Sequence, residues 1–242
     1  MIYVSVSTIP QRIKTINKSI ESLLNQTLKP DKIFINIPKH FRRFKEKIND
    51  DEIPKFSQRV EVTRCEDCGP GTKLLGSLNK MDDNSLLILA DDDQIYENFM
   101  IDKLYHCYNK NPNNAYSFYV HPLGKFGIGQ GADGFAINTK HLNGIKDFYD
   151  KIVKDYDELF LYDDLWISYF LFFFKKNRIL SLQEFLEIDK FGKRKTIYKS
   201  HTSSSGLISL YGKNINEAVR ERDRRATICL KYMKEKTRDL KF

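Results

Sequence analysis

Four cysteines in 242 residues, Cys65, Cys68, Cys107 and Cys229, are too few to staple a chain of this size with disulfides. Cys65 and Cys68 have the spacing of a metal or redox pair. A structural zinc site would need two more ligands at similar spacing, and Cys107 and Cys229 stand alone, so a thiol pair in a reducing compartment is the expectation. Long apolar runs are also missing. The best, Leu165 to Phe174, is about half of the roughly 20 residues a membrane helix requires, and it contains Ser168. The opening Met1-Ile2-Tyr3-Val4-Ser5-Val6 lacks the basic region and cleavage site of a secretory leader, and a cytoplasmic protein is expected. There is no internal repeat and no low-complexity tract.

What is present is an ordinary globular composition, 41% hydrophobic and 13% aromatic, enough for one substantial core. The net charge of +8 is unevenly spread: residues 190–242 hold 15 Lys or Arg against 5 Asp or Glu, which leaves −2 on residues 1–189. A basic tail on a nearly neutral body suits an anionic partner such as a phosphate group, a membrane surface or nucleic acid, and equally a solvated lysine-rich face.

The longest strand signal is Leu86-Leu87-Ile88-Leu89-Ala90, an apolar run without alternation that reads as a strand buried on both faces. It ends in Asp91-Asp92-Asp93. Three adjacent carboxylates repel one another and persist only if solvated, paired with cations or gathered around a hard metal ion; the competing reading is an acidic turn. Ile2 to Ser7 and Lys32 to Ile37 read as strands, with a helical pattern through Ile13, Ile16, Ile20, Leu23 and Leu24 between them. This opening implies a right-handed parallel crossover and puts Thr8, Pro10 and Arg12 at the strand ends where ligands bind.

Arg59 to Arg64 reads as a third strand, and a short helix follows Gly69-Pro70-Gly71-Thr72-Lys73, whose spacing does not match a P-loop. A helix is expected from about Glu97 to Tyr108, and one strand from Ala115 to Val120. Five glycines between Gly124 and Gly134 read as a loop that approaches a ligand or is mobile, with Asp133 set between Gly131 and Gly134. Asp163 and Asp164 start a very apolar helix containing Trp166, Phe170, Phe173 and Phe174; capping accounts for one of these carboxylates, not both. Arg178 to Leu182 reads as a strand, Lys190 to Tyr198 as a loosely structured basic segment, and His201 to Gly206 as a polar turn. Asn214 begins a final amphipathic helix.

Taken in order, the Val4 to Arg12 opening, the Ser22 to Thr27 helix end, the Asp67 to Lys73 segment, Asp91-Asp92-Asp93 and the Asp163 to Ser168 helix start resemble GT-A glycosyltransferases. The nearest branch is the compact family-2-like one of bacteria and large DNA viruses. The resemblance covers about residues 1–175. It implies an α/β GT-A fold, a mostly parallel central sheet flanked by helices, with a C-terminal helical extension. Residues 1–185 would form the catalytic domain (nucleotide-binding part about 1–95, acceptor part about 96–185), and residues 186–242 a basic extension packed on it.

The implied activity is metal-assisted transfer, with inversion, of a sugar from a nucleoside-diphosphate sugar, UDP-linked by preference, to a hydroxyl of a glycan or of a lipid- or protein-linked acceptor. Such a reaction needs a cation at the leaving diphosphate and a base at the acceptor. By resemblance Asp93, with Asp91 and His201, would hold Mn2+ or Mg2+. Thr8, Pro10, Arg12, Lys73, Asp91 and Asp92 would frame the nucleotide, and Asp133 would contact the donor sugar. Asp164, or else Asp163, would be the base. An ordinary surface histidine and an ordinary turn aspartate are the competing readings for His201 and Asp133. The alternatives for the whole chain are a nucleotidyltransferase of similar topology, or a non-catalytic carbohydrate- or nucleic-acid-binding protein. Nucleic acid is disfavoured, because the tail lacks interleaved aromatics; peripheral membrane contact through the basic last helix stays open.

Overall fold

The computed structural model describes residues 1–201 and 215–242; residues 202–206 of the expected polar turn and Asn214, the expected start of the last helix, lie outside them. The apolar runs form β1 (Ile2–Ser7), β2 (Lys32–Pro38), β3 (Val60–Cys65) and β4 (Leu86–Leu89). Shorter strands follow as β5 (Gln94–Tyr96), β6 (Ala115–Ser117), β7 (Val120–Leu123), β8 (Phe126–Gly129), β9 (Phe135–Asn138), β10 (Ile179–Ser181) and β11 (Tyr198–Ser200). Seven of them make one sheet in the order β10-β6-β9-β4-β1-β2-β3. Every neighbouring pair in it is parallel except those of β9, which runs against both β4 and β6.

Burial on both faces explains the absence of alternation. Val4, Val6, Leu86, Ile88 and Ala90 point to one layer, with α1 (Asn17–Leu24) and α3 (Met100–Lys110); Tyr3, Leu87 and Leu89 point to the other. That second layer holds α2 (Thr72–Leu75), α4 (Ile145–Phe148), α5 (Asp157–Phe160), α6 (Asp163–Phe174) and the last helix, α7 (Ile215–Lys236). Leu86, Leu87, Ile88 and Leu89 are all fully buried, each contributing about 1.5–3 kcal/mol of transfer free energy. α7 docks through Ala226, Cys229 and Met233, and its Tyr232 stacks on Tyr156 with ring centres 4.1 Å apart. Among the described residues no helix is long and apolar enough to cross a membrane.

Two local expectations change. Residues 10–16 form tight turns, with Arg12 N–H donating to Ile9 O and Thr15 N–H to Arg12 O at 2.9 Å each, and α1 begins only at Asn17. A three-residue apolar spacing suits such turns as well as a helix, so Ile13 and Ile16 are buried either way. The strand expected from Ala115 to Val120 breaks after Ser117, and β7 leaves the sheet to pair with β8. The glycine-rich stretch is therefore a paired hairpin plus a turn rather than a loop throughout. At Gly129 a Cβ would lie 2.5 Å from the Phe135 ring, so that glycine is required for close packing.

Register sets the functional edge. Ser5 pairs with Leu89, so three residues further along each strand Thr8 and Asp92 leave the sheet side by side. β9, running the opposite way, brings the start of its strand, Gly131 to Gly134, to the same edge.

Candidate active site

The strand ends open onto a cleft of about 1640 Å³ lined by Thr8, Arg12, Lys73, Asp91, Asp92, Asp93, Asp133, Asp163, Asp164 and His201, among others. All but one of the residues singled out above are therefore on one wall system. The exception, Pro10, turns the loop behind Ile9 without lining the cleft.

Arg12 was expected at the nucleotide; here its guanidinium grips two aspartates, Nη1 lying 2.8 Å from Asp92 Oδ1 and Nη2 3.0 Å from Asp93 Oδ2. Burial pushes the Asp92 carboxyl up despite Arg12. Asp93 is pushed up to about 6, by burial and then by the charge of Asp91.

Lys73 is brought in by the loop before α2. Gly71 lies so close to Trp166 that a Cβ there would be 2.6 Å from the indole, and the Lys73 carbonyl accepts from buried Ser5 Oγ at 2.5 Å. Its ammonium then reaches Asp91 Oδ1 at 2.5 Å and Asp163 Oδ2 at 3.3 Å. Burial alone would lower the Lys73 pKa, but Asp163 and Asp91 outweigh it and hold it well above the usual value. Burial raises Asp163 against the pull of Lys73. Asp164 is raised well above the carboxylate range, by burial and then by Asp163; its Oδ1 accepts the Gly131 N–H at 2.9 Å.

Gly131, Tyr96 and Ser19 are site residues that the sequence did not single out for these roles. A Cβ on Gly131 would lie 2.7 Å from Lys73 Nζ and 3.2 Å from Asp91 Oδ1, so a side chain there would displace the ammonium from its place between the carboxylates. Buried Tyr96 accepts the Asp91 N–H at 2.7 Å. Ser19 Oγ donates to the Asp92 carbonyl at 2.7 Å and lies 2.9 Å from His201 Nε2. The glycine cluster was visible in the sequence; nothing distinguished Ser19 from any polar position on an amphipathic helix.

His201 meets the backbone of the aspartate turn rather than its carboxylates. Its N–H donates to the Asp93 carbonyl at 3.1 Å, and Nε2 lies 3.3 Å from the Asp92 carbonyl. Among the described residues no three Asp, Glu, His or Cys side chains converge as a ready-made metal centre. Arg12 bridges Asp92 and Asp93, and Lys73 bridges Asp91 and Asp163. The donor chemistry nevertheless fits a hard dication, since Asp91, Asp92, Asp93, Asp133, Asp163 and Asp164 face the cleft, and Arg12 and Lys73 pair with Asp91, Asp92, Asp93 and Asp163. The upward shifts of Asp93 and Asp133 come first from burial and then from the charge of Asp91. The thiol pair takes no part: Cys65 and Cys68 are free, and burial pushes them up to about 12 and about 11.

Asp133 gives a pH test. Burial, then the charge of Asp91, raises it to about 7. A carboxyl raised in the folded state contributes stability that is complete below its unfolded value, about 4, and lost as pH rises through about 7. The melting temperature is therefore expected to fall from about pH 5 to about pH 8, with Asp133 accounting for up to about 2.5 kcal/mol of that decline. Asp133→Asn should flatten the profile; a variant that kept the whole decline would remove Asp133 as its source.

No family model and no curated protein matches this sequence. Solved structures do. Residues 1–349 of TarS from S. aureus, in complex with UDP-GlcNAc, superpose with a TM-score of 0.51 at 13% identity, over 86% of this chain and 60% of that one. The fold is of the GT-A type. This chain spans about three-fifths of that TarS fragment. Two further matches have lower TM-scores. The cytidylyltransferase IspD of Francisella tularensis gives 0.49 at 13% identity, over 81% of this chain and 94% of that one. A mannosyltransferase of Pyrobaculum calidifontis, solved with GDP-Man and Mn2+, gives 0.47 at 10% identity, over 74% and 54%. At these identities the likeness concerns the GT-A sheet and its flanking helices, not the chemistry performed on it.

Proposed function

We propose that this chain is a glycosyltransferase that moves a sugar from a nucleoside-diphosphate sugar, by preference UDP-linked, to a hydroxyl of a glycan or of a lipid- or protein-linked acceptor, with inversion. The observation that carries the reading is the convergence, across Lys73, of the strand-end Asp91 to Asp93 and the helix-start Asp163 and Asp164 in one large cleft on a GT-A sheet. The complex of TarS with UDP-GlcNAc lends the donor class. Residues up to about 95 serve the nucleotide, residues from about 96 to 185 the acceptor, and residues 186–242 form an extension of the same domain.

Asp93 and Asp91 would hold a Mn2+ or Mg2+ ion, with His201 beside their turn; bound there, the ion would neutralise the leaving diphosphate. Thr8 and Arg12 frame the nucleotide from the β1 loop, and Arg12 exchanges one aspartate for a phosphate oxygen when the donor enters. Lys73 fixes Asp91 and Asp163. Asp133 contacts the donor sugar from the β9 side. Asp164 removes the acceptor proton.

A thermal-shift series with nucleotide sugars, with and without Mn2+, tests the donor site. The wild-type protein is expected to be stabilised by one nucleotide class, more strongly with Mn2+, and Asp93→Ala to lose the Mn2+-dependent part. A variant that kept it would place the ion elsewhere. Product analysis then separates transfer chemistries: nucleoside diphosphate is expected, whereas pyrophosphate released from a nucleoside triphosphate would make the chain a nucleotidyltransferase.

A further inference from the structure

Residues 186–197 form a hairpin that the proposed chemistry leaves unused at its tip. Its root is fastened by buried Leu186 and fully buried Ile197. Its arms are tied by an antiparallel bridge between Ile188 and Arg194 and by Lys195 N–H donating to Glu187 O at 2.8 Å. At the tip, Asp189 N–H donates to Lys193 O at 2.7 Å, and the Asp189 carboxylate accepts the N–H groups of Phe191 and Lys193 at 2.9 Å each. Gly192, at φ +76°, completes the turn.

This well-tied turn displays two large apolar side chains, Phe191 at 76% exposure and Ile188 at 60%. Lys190, Lys193, Arg194 and Lys195 surround them, all exposed. Of these, Lys195 pairs with Glu187 at 2.7 Å. Lys190 lies 5.1 Å above the Phe191 ring, and Arg194 donates to the Gln183 carbonyl at 2.7 Å. The one carboxylate at the tip, Asp189, is already engaged with backbone N–H groups. The display is therefore both apolar and cationic, on a turn whose backbone hydrogen bonds are made within the hairpin itself.

We propose that this hairpin docks the protein on an anionic lipid surface, with Phe191 and Ile188 entering the boundary between headgroups and acyl chains and Lys190, Lys193 and Arg194 meeting the headgroup phosphates. Charge complementarity argues for the occupant, since basic clusters next to apolar anchors are what anionic bilayers attract. Ile188 decides against a single-stranded nucleic acid: an aliphatic side chain has no ring to stack on a base, but it partitions into lipid. The arms of the same hairpin, through Leu186, Arg194 and Lys195, also line the cleft, so docking would set the cleft mouth against the surface. The proposal does not depend on the transferase reading.

Sedimentation of the full chain with vesicles of phosphatidylcholine alone, and of phosphatidylcholine with phosphatidylglycerol, tests it. Binding is expected to the anionic vesicles, to weaken with salt, and to be weak or absent with the neutral ones. Each basic side chain near such a surface is worth about fivefold in affinity, so Lys190→Glu with Lys193→Glu should weaken binding by about 25-fold or more. Phe191→Ser should weaken it by about tenfold. All three positions are exposed, and unchanged melting temperatures would show that the fold is intact. Lys231→Glu with Lys234→Glu, on α7, is the control and should bind nearly as the wild type does. The proposal is overturned if the chain does not sediment, if the α7 control abolishes binding while the hairpin variants retain it, or if the hairpin captures a single-stranded oligonucleotide and ignores vesicles.

Discussion

Asp164→Asn is expected to leave nucleotide-sugar binding close to that of the wild type and to reduce transfer by about a thousandfold, in the middle of the range for removing a general base. The substitution is nearly isosteric, and an amide oxygen can still accept the Gly131 N–H that Asp164 Oδ1 now takes at 2.9 Å. What the amide cannot do is take a proton. Burial and the neighbouring Asp163 hold the Asp164 carboxyl well above the ordinary carboxylate range, so its base form becomes populated only as pH rises through that shifted value. The acid limb of the rate profile should accordingly lie above the ordinary carboxylate range. Calorimetry of donor binding and turnover at saturating donor separate the two effects. An Asn variant with wild-type turnover, or an acid limb at an ordinary carboxylate value, would remove Asp164 from the chemistry and bring forward Asp163.

The positions that make this test possible were legible in the sequence to different degrees. Leu86 to Leu89 announced a strand buried on both faces because no polar residue interrupts it, and the parallel order of β1 and β4 then fixed which edge Thr8 and Asp92 share. Asp163 and Asp164 were legible because two carboxylates exceed what one helix start needs. The grip of Arg12 on both Asp92 and Asp93, and the Gly131 N–H on Asp164, were not. Each depends on strand register and on how closely two backbones approach, which local patterns of polarity do not encode. The break after Ser117 was missed for the same reason, since its cause is the partner strand β8 rather than the residues that break.

The largest loss of stability is expected at Lys73. Lys73→Met keeps most of the side chain's length and apolar bulk but removes the cation between Asp91 and Asp163. Only 5% of Lys73 and 6% of Asp163 is exposed, so the Asp163 carboxylate would be left with little solvent in place of the ammonium, while Asp91 reaches the water of the cleft. Breaking one partner out of a buried ion pair costs about 3–5 kcal/mol. The sign of the pH dependence follows. Without Lys73 the Asp163 carboxyl, already raised by burial, rises further, and the stability contributed by a raised carboxyl is present at low pH and lost as pH increases. Urea unfolding should therefore show a deficit that is largest near pH 8 and narrows near about pH 5, where the stranded carboxylates take up protons. An equal deficit at both pH values would trace the loss to packing rather than to charge.

The contact of Ser19 with His201 and the Asp92 carbonyl has a kinetic meaning as well. It joins residues 182 positions apart, while Arg12 and Asp92 are 80 apart, and Lys73 reaches Asp91 across only 18. Contacts that close long loops repay their entropy late, so the lysine side of the aspartate turn can assemble early whereas the serine–histidine side must wait for the far end of the chain. A chain truncated before residue 201 would then carry Lys73 beside Asp91, and Ser19 and Arg12 on Asp92, without the His201 contacts to Ser19 and to the backbone of the aspartate turn, so those contacts would report that the far end of the chain has folded.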